Sequence, residues 1–163
     1  MAKILSKTTS IELSACGQIL GLDPGGTTGV ALVSFQNQTM ALWTVEKWHS
    51  LEEVFGRLGP GDIVVAESFR LYPGMGRRLV WNDLVAAQVF GVIVYLAKQA
   101  GVDIVAQPAA MAKRIALVPR HKDLVGVSKH AKEALRHVIA FAKRMKIAPF
   151  EELKSMIEEV SSE

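Results

Sequence analysis

Apolar and polar positions near the start of the chain predict short strands joined by tight turns. Ile19–Asp23 is an apolar run that ends at an acid and enters a proline-glycine turn, which is typical of a strand end. Gly29–Phe35 and Met40–Trp48 are predicted as the second and third strands, with a turn at residues 37 and 38. The pattern therefore indicates three consecutive strands.

The pattern then alternates between helical and strand-like segments. Ser50 is the predicted N-cap of a short helix, in a capping box with the acid three residues later. Asp62–Glu67 is an apolar run that ends in an acid, which is typical of a buried parallel strand. Further predicted elements are a helix at about 79–99, a strand at Val102–Ala106 and a helix from Ser128 to Lys146. The order β-β-β-α-β-α-β-α predicts an α/β fold with a mixed sheet.

The helix predicted from Leu79 to Gln99 is apolar around most of its circumference. Its apolar residues are Leu79, Val80, Leu84, Val85, Val89, Phe90, Ile93, Val94 and Leu96. Because these side chains cannot all face one sheet, the helix needs a second burial partner. A homodimer partner is the economical choice, and Gly101 is the predicted helix cap.

Size and composition are typical of a single soluble domain. A chain of 163 residues fits one domain, and its single cysteine, Cys16, excludes an intramolecular disulfide framework and suits a reducing compartment. No segment resembles a signal peptide or a membrane span. We therefore expect a cytoplasmic protein with no membrane association.

Charge is distributed unevenly along the second half of the chain. Between Lys113 and Lys146 there are ten basic residues against two acids, whereas Glu151 to Glu163 holds five acids and one lysine. This asymmetry indicates a polyanion-binding face with an acidic tail kept clear of it. Ordinary solvated helix surface is an equally good explanation of the charge alone.

Two carboxylates share one sequence context. Asp23 and Glu67 each end an apolar strand and precede a loop that contains glycine or proline. The crevice outside the carboxyl ends of strands is where α/β sheets bind ligands, and neighbouring carboxylates there favour Mg²⁺ or Mn²⁺. Taken singly, each acid is better explained by a hydrogen bond to a turn amide; the pair favours a metal site.

A third carboxylate comes from the last predicted helix. His130, Glu133 and His137 are spaced i, i+3 and i+7, which places them on one stripe beside a small and apolar stripe that would pack on the sheet. Glu133 is therefore the best candidate third ligand, and Asp123 is the fallback. The alternative for Glu133 is a surface ion pair with Lys129 or Arg136.

Three motifs together resemble the RuvC-like Holliday-junction resolvases of the RNase H-like superfamily. They are ILGLDPGGTTGVAL at residues 19–32, VVAESF at 64–69 and SKHAKEALRHVIA at 128–140. The resemblance covers roughly residues 18–144 and implies an RNase H-like mixed five-stranded sheet flanked by helices. It divides the chain into an N-terminal extension (1–18), a nuclease domain (19–146) and an acidic C-terminal tail or short helix (147–163).

This resemblance implies a magnesium-dependent endonuclease that cuts four-way DNA junctions as a homodimer, with Mn²⁺ able to substitute. Its metal ligands and catalytic residues would be Asp23, Glu67 and Glu133, with His130 as the fourth, assisting residue. Glu133 stands where the family usually has Asp, and neither Phe69 nor Tyr72 matches the spacing of the family's base-stacking aromatic. The expected DNA contacts are Phe69, Arg70, Tyr72, Arg77, Arg78, Lys113, Arg114, Arg120, Lys122 and Lys129.

Other functions remain open from the sequence. An RNase H-like nuclease could act on flaps or RNA–DNA hybrids, and a noncatalytic DNA-binding module could keep the fold. A phosphate-binding ATPase or kinase-like domain is a further alternative, because the segment from Asp23 to Gly29 also resembles the phosphate-binding hairpin of the actin and sugar-kinase fold. The chain is short for that fold and shows no second glycine-rich hairpin.

Overall fold

A computed structural model describes residues 17–69 and 81–158, with side chains from residue 84 onward in the second range. Five strands form one mixed sheet: β1 (Ile19–Asp23), β2 (Thr28–Ser34), β3 (Thr39–Val45), β4 (Ile63–Glu67) and β5 (Asp103–Gln107). Their order is β3-β2-β1-β4-β5, in which β1 is antiparallel to β2, and β2 to β3, while β1, β4 and β5 run parallel. The mixed five-stranded α/β sheet predicted from the sequence is confirmed.

Helices cover both faces of this sheet. They are α1 (Leu51–Phe55), α2 (Trp81–Ala100), α3 (Ala109–Ala112), α4 (Lys129–Arg144) and α5 (Glu151–Ser155), with short 3₁₀ turns at Trp48–Ser50 and Lys122–Leu124. The predicted third strand was too long at its end, because the chain leaves the sheet after Val45 and enters the first 3₁₀ turn.

Each face of the sheet has its own apolar core, because successive strand residues point to opposite faces. Along β1, Ile19 lies in the core beneath α4 and α5, whereas Leu20 lies in the core beneath α1 and α2. Phe141 of α4 and Ile93 of α2 are fully buried on the two sides. The central strands are therefore covered on both faces, as their continuous apolar runs predicted.

Close backbone contact positions α4 on the sheet. A Cβ atom built on Gly29 in β2 would overlap the main-chain carbonyl of His130, and one built on Gly21 in β1 would overlap that of Ala134. Only glycine permits this approach. The small and apolar stripe of α4 is buried against the sheet, as predicted; its members are Ala131, Ala134, Leu135, Val138 and Ala142.

Two of the three predicted helix caps are present. The Ser128 hydroxyl accepts a hydrogen bond from the Ala131 amide at 3.1 Å and so caps α4. Gly101 ends α2 with a φ of +68°, a left-handed conformation that favours glycine. The predicted capping box at Ser50 was wrong, because the preceding 3₁₀ turn runs directly into α1 and the Ser50 side chain makes no capping hydrogen bond.

One side of α2 packs on the sheet and the other faces solvent. Val89, Ile93 and Ala97 are buried, whereas Leu84 and Tyr95 are 42% and 60% exposed. The sheet therefore covers only part of this helix. Within the described part of the chain, no helix has the length and apolar character needed to cross a membrane.

The last described residues join the α4 side of the sheet. Phe150, Leu153 and Met156, on and beside α5, are buried in the same core as α4. Leu117 and Ile157 form an isolated antiparallel bridge, so α5 is also joined to the basic segment that precedes α4. The described part of residues 147–163 thus contains a short helix packed on the core.

Candidate functional site

Two acids stand side by side at the carboxyl ends of the central parallel strands. The last paired residues of β1 and β4 are Leu22 and Ala66, so the next residues along each strand are Asp23 and Glu67. They open into a cleft of about 310 Å³. Its lining residues are Asp23, Glu67, Ala109, Lys113, Lys129, His130 and Glu133.

Asp23 lies at the centre of the interactions in this cleft. Its Oδ2 atom is 2.8 Å from Nδ1 of His130, which is half-exposed near the start of α4. Burial raises the pKa of the Asp23 carboxyl, and the nearby Glu67 charge raises it further; the hydrogen bond from His130 and the charges of His130 and His137 act in the opposite direction. The two acids therefore repel each other in a partly desolvated site.

A buried histidine contacts the second acid. His137 of α4 is completely buried, and its Nε2 atom lies 3.1 Å from Oε2 of Glu67. Its other ring nitrogen, Nδ1, lies 3.1 Å from Oε1 of Gln107, the last residue of β5. We did not predict either residue as part of the site. The signal for His137 was its place on the stripe of His130 and Glu133, whereas nothing in the sequence marked Gln107.

Glu133 lines the cleft and also forms an ion pair. Its Oε1 atom contacts Nη1 of Arg136, whose Nε atom donates a hydrogen bond to the main-chain oxygen of Ile115 at 3.1 Å. The ion pair that the sequence offered as an alternative to metal binding is therefore present. The structure brings Glu133 to the same cleft as Asp23 and Glu67 without bringing the three carboxylates into a preformed cage.

The side chains that line the cleft have the chemistry of ligands for a hard divalent cation, but they are not arranged as a ready metal site. Three carboxylates and one imidazole face one cleft, and oxygen-rich sets of this kind suit Mg²⁺ or Mn²⁺. Among the described residues, however, no group of three histidine, cysteine or acidic side chains is arranged to hold a metal ion. One oxygen of Glu133, Oε1, is engaged by Arg136, and the side chain also lines the cleft.

The predicted DNA-contacting residues are distributed unequally around the cleft. Lys113 and Lys129 line it, and Phe69 is partly buried two residues after Glu67. Three other cations are exposed but are not among the lining residues: Arg114, Arg120 and Lys122. Four predicted contacts lie outside the described residues: Arg70, Tyr72, Arg77 and Arg78.

Asp123, the fallback third acid, is not a lining residue of the cleft. Its main-chain amide donates to Nδ1 of His121 at 3.3 Å, and its carboxylate lies 3.5 Å from the same atom. Nε2 of His121 is 2.9 Å from the Ser155 hydroxyl on α5. Of the two candidates for a third acid, only Glu133 reaches the cleft.

The sheet order, the helix across its face and the acids at the strand ends define an RNase H-like α/β fold. The chain is similar in structure to the RuvC of T. thermophilus, solved as "T. thermophilus RuvC in complex with Holliday junction substrate", with a TM-score of 0.58 and 19% sequence identity. The match covers 81% of this chain and 98% of that one. No protein-family model and no curated protein sequence matches the chain. The chain thus has a RuvC-like fold.

Proposed function

We propose that this protein is a divalent-metal-dependent endonuclease that resolves four-way DNA junctions as a homodimer. The observation that carries the proposal is the pair of adjacent carboxylates, Asp23 and Glu67, in a cleft that two lysines also line. The RuvC structure of similar fold contains a Holliday junction, which supports branched DNA as the substrate.

In this proposal Asp23, Glu67 and Glu133 hold Mg²⁺ or Mn²⁺, with His130 beside them. The bound cations would supply Lewis-acid stabilisation and an activated water for hydrolysis of a phosphodiester. Asp23 is placed to share the cations because it stands beside Glu67 in the sheet and contacts His130. Cation binding would also relieve the repulsion between the two strand-end acids, which are partly buried side by side.

His130 has two roles open to it in this site. Its contact with Asp23 fixes the orientation of that carboxylate, and its ring stays accessible because 49% of the side chain is exposed. A neutral imidazole at the edge of the cleft can accept a proton from an attacking water or bind a cation directly.

DNA binding is proposed to use the cations nearest the acids. Lys113 follows α3 and Lys129 begins α4, so the two lysines approach the cleft from different elements. Lysine contacts with phosphates position a duplex without reading its sequence. Arg114, Arg120 and Lys122 are exposed outside the cleft lining and would contact phosphates of the DNA arms.

The homodimer is proposed to form through the exposed stripe of α2. Leu84, Gln88, Gly91 and Tyr95 are exposed at spacings of four, three and four residues, which places them on one face of the helix. Covering Leu84 and Tyr95 with the same stripe of a second copy would bury an apolar face that the sheet leaves open. A twofold dimer would then present two clefts, one for each strand that is cut.

The test compares three DNA substrates and one substitution. Wild-type protein with Mg²⁺ should cut a four-way junction faster than a flap or an RNA–DNA hybrid. Asp23→Asn should still bind the junction but lose cleavage, since it removes a ligand charge and keeps the shape of the side chain. Cleavage that persists in Asp23→Asn would overturn the assignment of this cleft, and preference for the flap or hybrid would change the substrate.

A noncatalytic DNA-binding module is the second candidate. Two observations favour it: the ion pair between Glu133 and Arg136, and the lack of a preformed metal group among the described residues. This function predicts junction binding with no Mg²⁺- or Mn²⁺-dependent cleavage of any of the three substrates. The same experiment therefore separates the two candidates.

A further inference from the structure

A chain of three polar side chains crosses from the edge of the sheet to the cleft. Gln107 and Glu67 end the adjacent parallel strands β5 and β4 and are partners in register. The ring of His137 contacts both side chains, at 3.1 Å in each case. Gln107 and His137 are fully buried, whereas one third of the Glu67 side chain is exposed.

Proton positions in this chain follow from its acceptors. An ionised carboxylate only accepts hydrogen bonds, so Nε2 of His137 must carry the proton that it donates to Glu67. Nδ1 of a neutral ring is then an acceptor. A Gln107 amide turned by 180° would present its NH₂ group to Nδ1, and this gives a partner to Nε2 of Gln107, which is otherwise buried without one.

The location of His137 makes a purely structural role a poor explanation. It belongs to the buried side of α4, between Ala134, Leu135 and Val138, which are all fully buried. Replacing a buried polar or ionic pair by well-packed apolar side chains of similar volume is often neutral or stabilising, so stability alone does not explain these contacts. What the histidine provides, and a leucine cannot, is a donor directed at one oxygen of Glu67.

We infer that His137, held by Gln107, is a positioning residue that engages Oε2 of Glu67 and leaves Oε1 to bind the divalent cation. The inference rests on the proposed metal-dependent function and extends it to residues behind the ligands. Hydrogen-bonded partners behind metal ligands typically change metal affinity by about 10–100-fold when they are removed. His137 itself touches neither cation nor DNA in this arrangement.

The test is a titration of the metal-free protein with Mn²⁺ alone, followed by electron paramagnetic resonance. His137→Leu removes the donor and should raise the Kd for Mn²⁺ by about 10–100-fold. His137→Gln keeps an NH donor and should restore most of the affinity. His49→Leu is the matched control, because it makes the same change at an exposed histidine outside the cleft, and its Kd should equal that of the wild type.

The outcomes separate this inference from the proposed function. If the wild-type protein binds Mn²⁺, Asp23→Asn does not, and His137→Leu binds as tightly as wild type, the positioning role is overturned while the metal site stands. If the wild type binds no Mn²⁺, or Asp23→Asn binds it equally well, the proposed function fails and the inference with it. Loss of affinity in His137→Leu that His137→Gln restores supports the inference.

A second measurement does not depend on the stability of the variants. ¹⁵N chemical shifts of the histidine rings in the metal-free wild type report which nitrogen of His137 is protonated. A proton on Nε2 is expected from the contact with Glu67. A proton found only on Nδ1 would overturn the inference, because Nε2 would then have nothing to donate to Glu67.

Discussion

Gly29 lies directly against the main-chain carbonyl of His130, so closely that no side chain fits between β2 and the first turn of α4. The same turn carries Lys129 and His130, and Glu133 follows one turn later. The positions of these three cleft residues therefore depend on residue 29 of β2 being a glycine, which has no Cβ atom.

Gly29→Ala should consequently displace the start of α4. Inserting a methyl group into a tightly packed backbone contact typically costs about 1–3 kcal/mol, which thermal unfolding would measure. Junction cleavage should fall by more than the unfolded fraction explains, because His130 and Glu133 move relative to Asp23. Gly26→Ala is the matched control: a Cβ on Gly26 meets nothing within 4 Å, so stability and cleavage should be unchanged. Equal behaviour of the two variants would contradict the proposed dependence.

At pH values above the ordinary pKa of aspartate, Asp23→Asn should make the metal-free protein more stable than the wild type. The folded state raises the pKa of Asp23 above 3.8, mainly through burial, so it binds this proton more tightly than the unfolded chain does. The resulting penalty is absent below pH 3.8, grows as pH rises through the raised pKa and then stays constant. The Tm of Asp23→Asn minus that of wild type should therefore increase over this window. A difference independent of pH would contradict desolvation of the Asp23 carboxylate as its cause.

In the presence of Mn²⁺, the wild-type protein should instead be more stable than Asp23→Asn. A cation bound only by the folded state stabilises it by about 2.7 kcal/mol at a concentration 100 times its Kd. For a domain of this size the gain corresponds to a rise in Tm of roughly 5–11 °C. Wild-type protein at neutral pH should show this rise and Asp23→Asn should not. Equal rises would place the bound metal outside the cleft.

Lys113→Ala and Lys129→Ala should each lower the affinity for the junction and make that affinity less dependent on salt concentration. Removing one lysine–phosphate interaction lowers the slope of log K against log salt concentration by about 0.9. Binding isotherms at several salt concentrations would measure this slope. Lys154→Ala on α5 removes an exposed lysine that is not a lining residue of the cleft, and the slope should not change. A comparable decrease in this control would point to general charge rather than to the cleft.

Tyr95→Glu should convert the proposed homodimer to a monomer. It places a charge at the C-terminal end of the exposed α2 stripe, where a second copy would bury it without a partner. Light scattering coupled to gel filtration would measure the mass. Val125→Glu is the control, because Val125 is an exposed apolar residue in a loop away from α2. A wild-type protein that is already monomeric would contradict the dimer.

The fold was predictable because its elements carry independent local signals. The apolar runs of β1 and β4 end at acids, and α4 combines a serine cap with a small and apolar stripe, so pattern and position agree. The short helix α3 was not predictable. α3 has four residues with no capping hydrogen bond from a side chain, and its place follows from its packing against α4 rather than from its own sequence.

The sequence was enough to predict which acids share the cleft, but not which side chains contact each acid. Parallel neighbours in a sheet bring their last residues together, so the order of β1 and β4 was enough to place Asp23 beside Glu67. The partner of each acid depends on side-chain rotamers that no local pattern specifies. Glu133 reaches both the cleft and Arg136, and Gln107 meets His137 only because β5 and α4 are assembled around β4.

The packing of α5 against the α4 core bears on where the chain can be shortened. A chain that ends at residue 146 would lack Phe150, Leu153 and Met156, which are buried together in the core on the α4 side of the sheet. Three buried apolar side chains together are worth several kcal/mol on the usual scale of about 1.5–3 kcal/mol each. We therefore expect the smallest stable unit of this protein to extend at least to Ile157, although the sequence left open whether residues 147–163 form an acidic tail or a short helix.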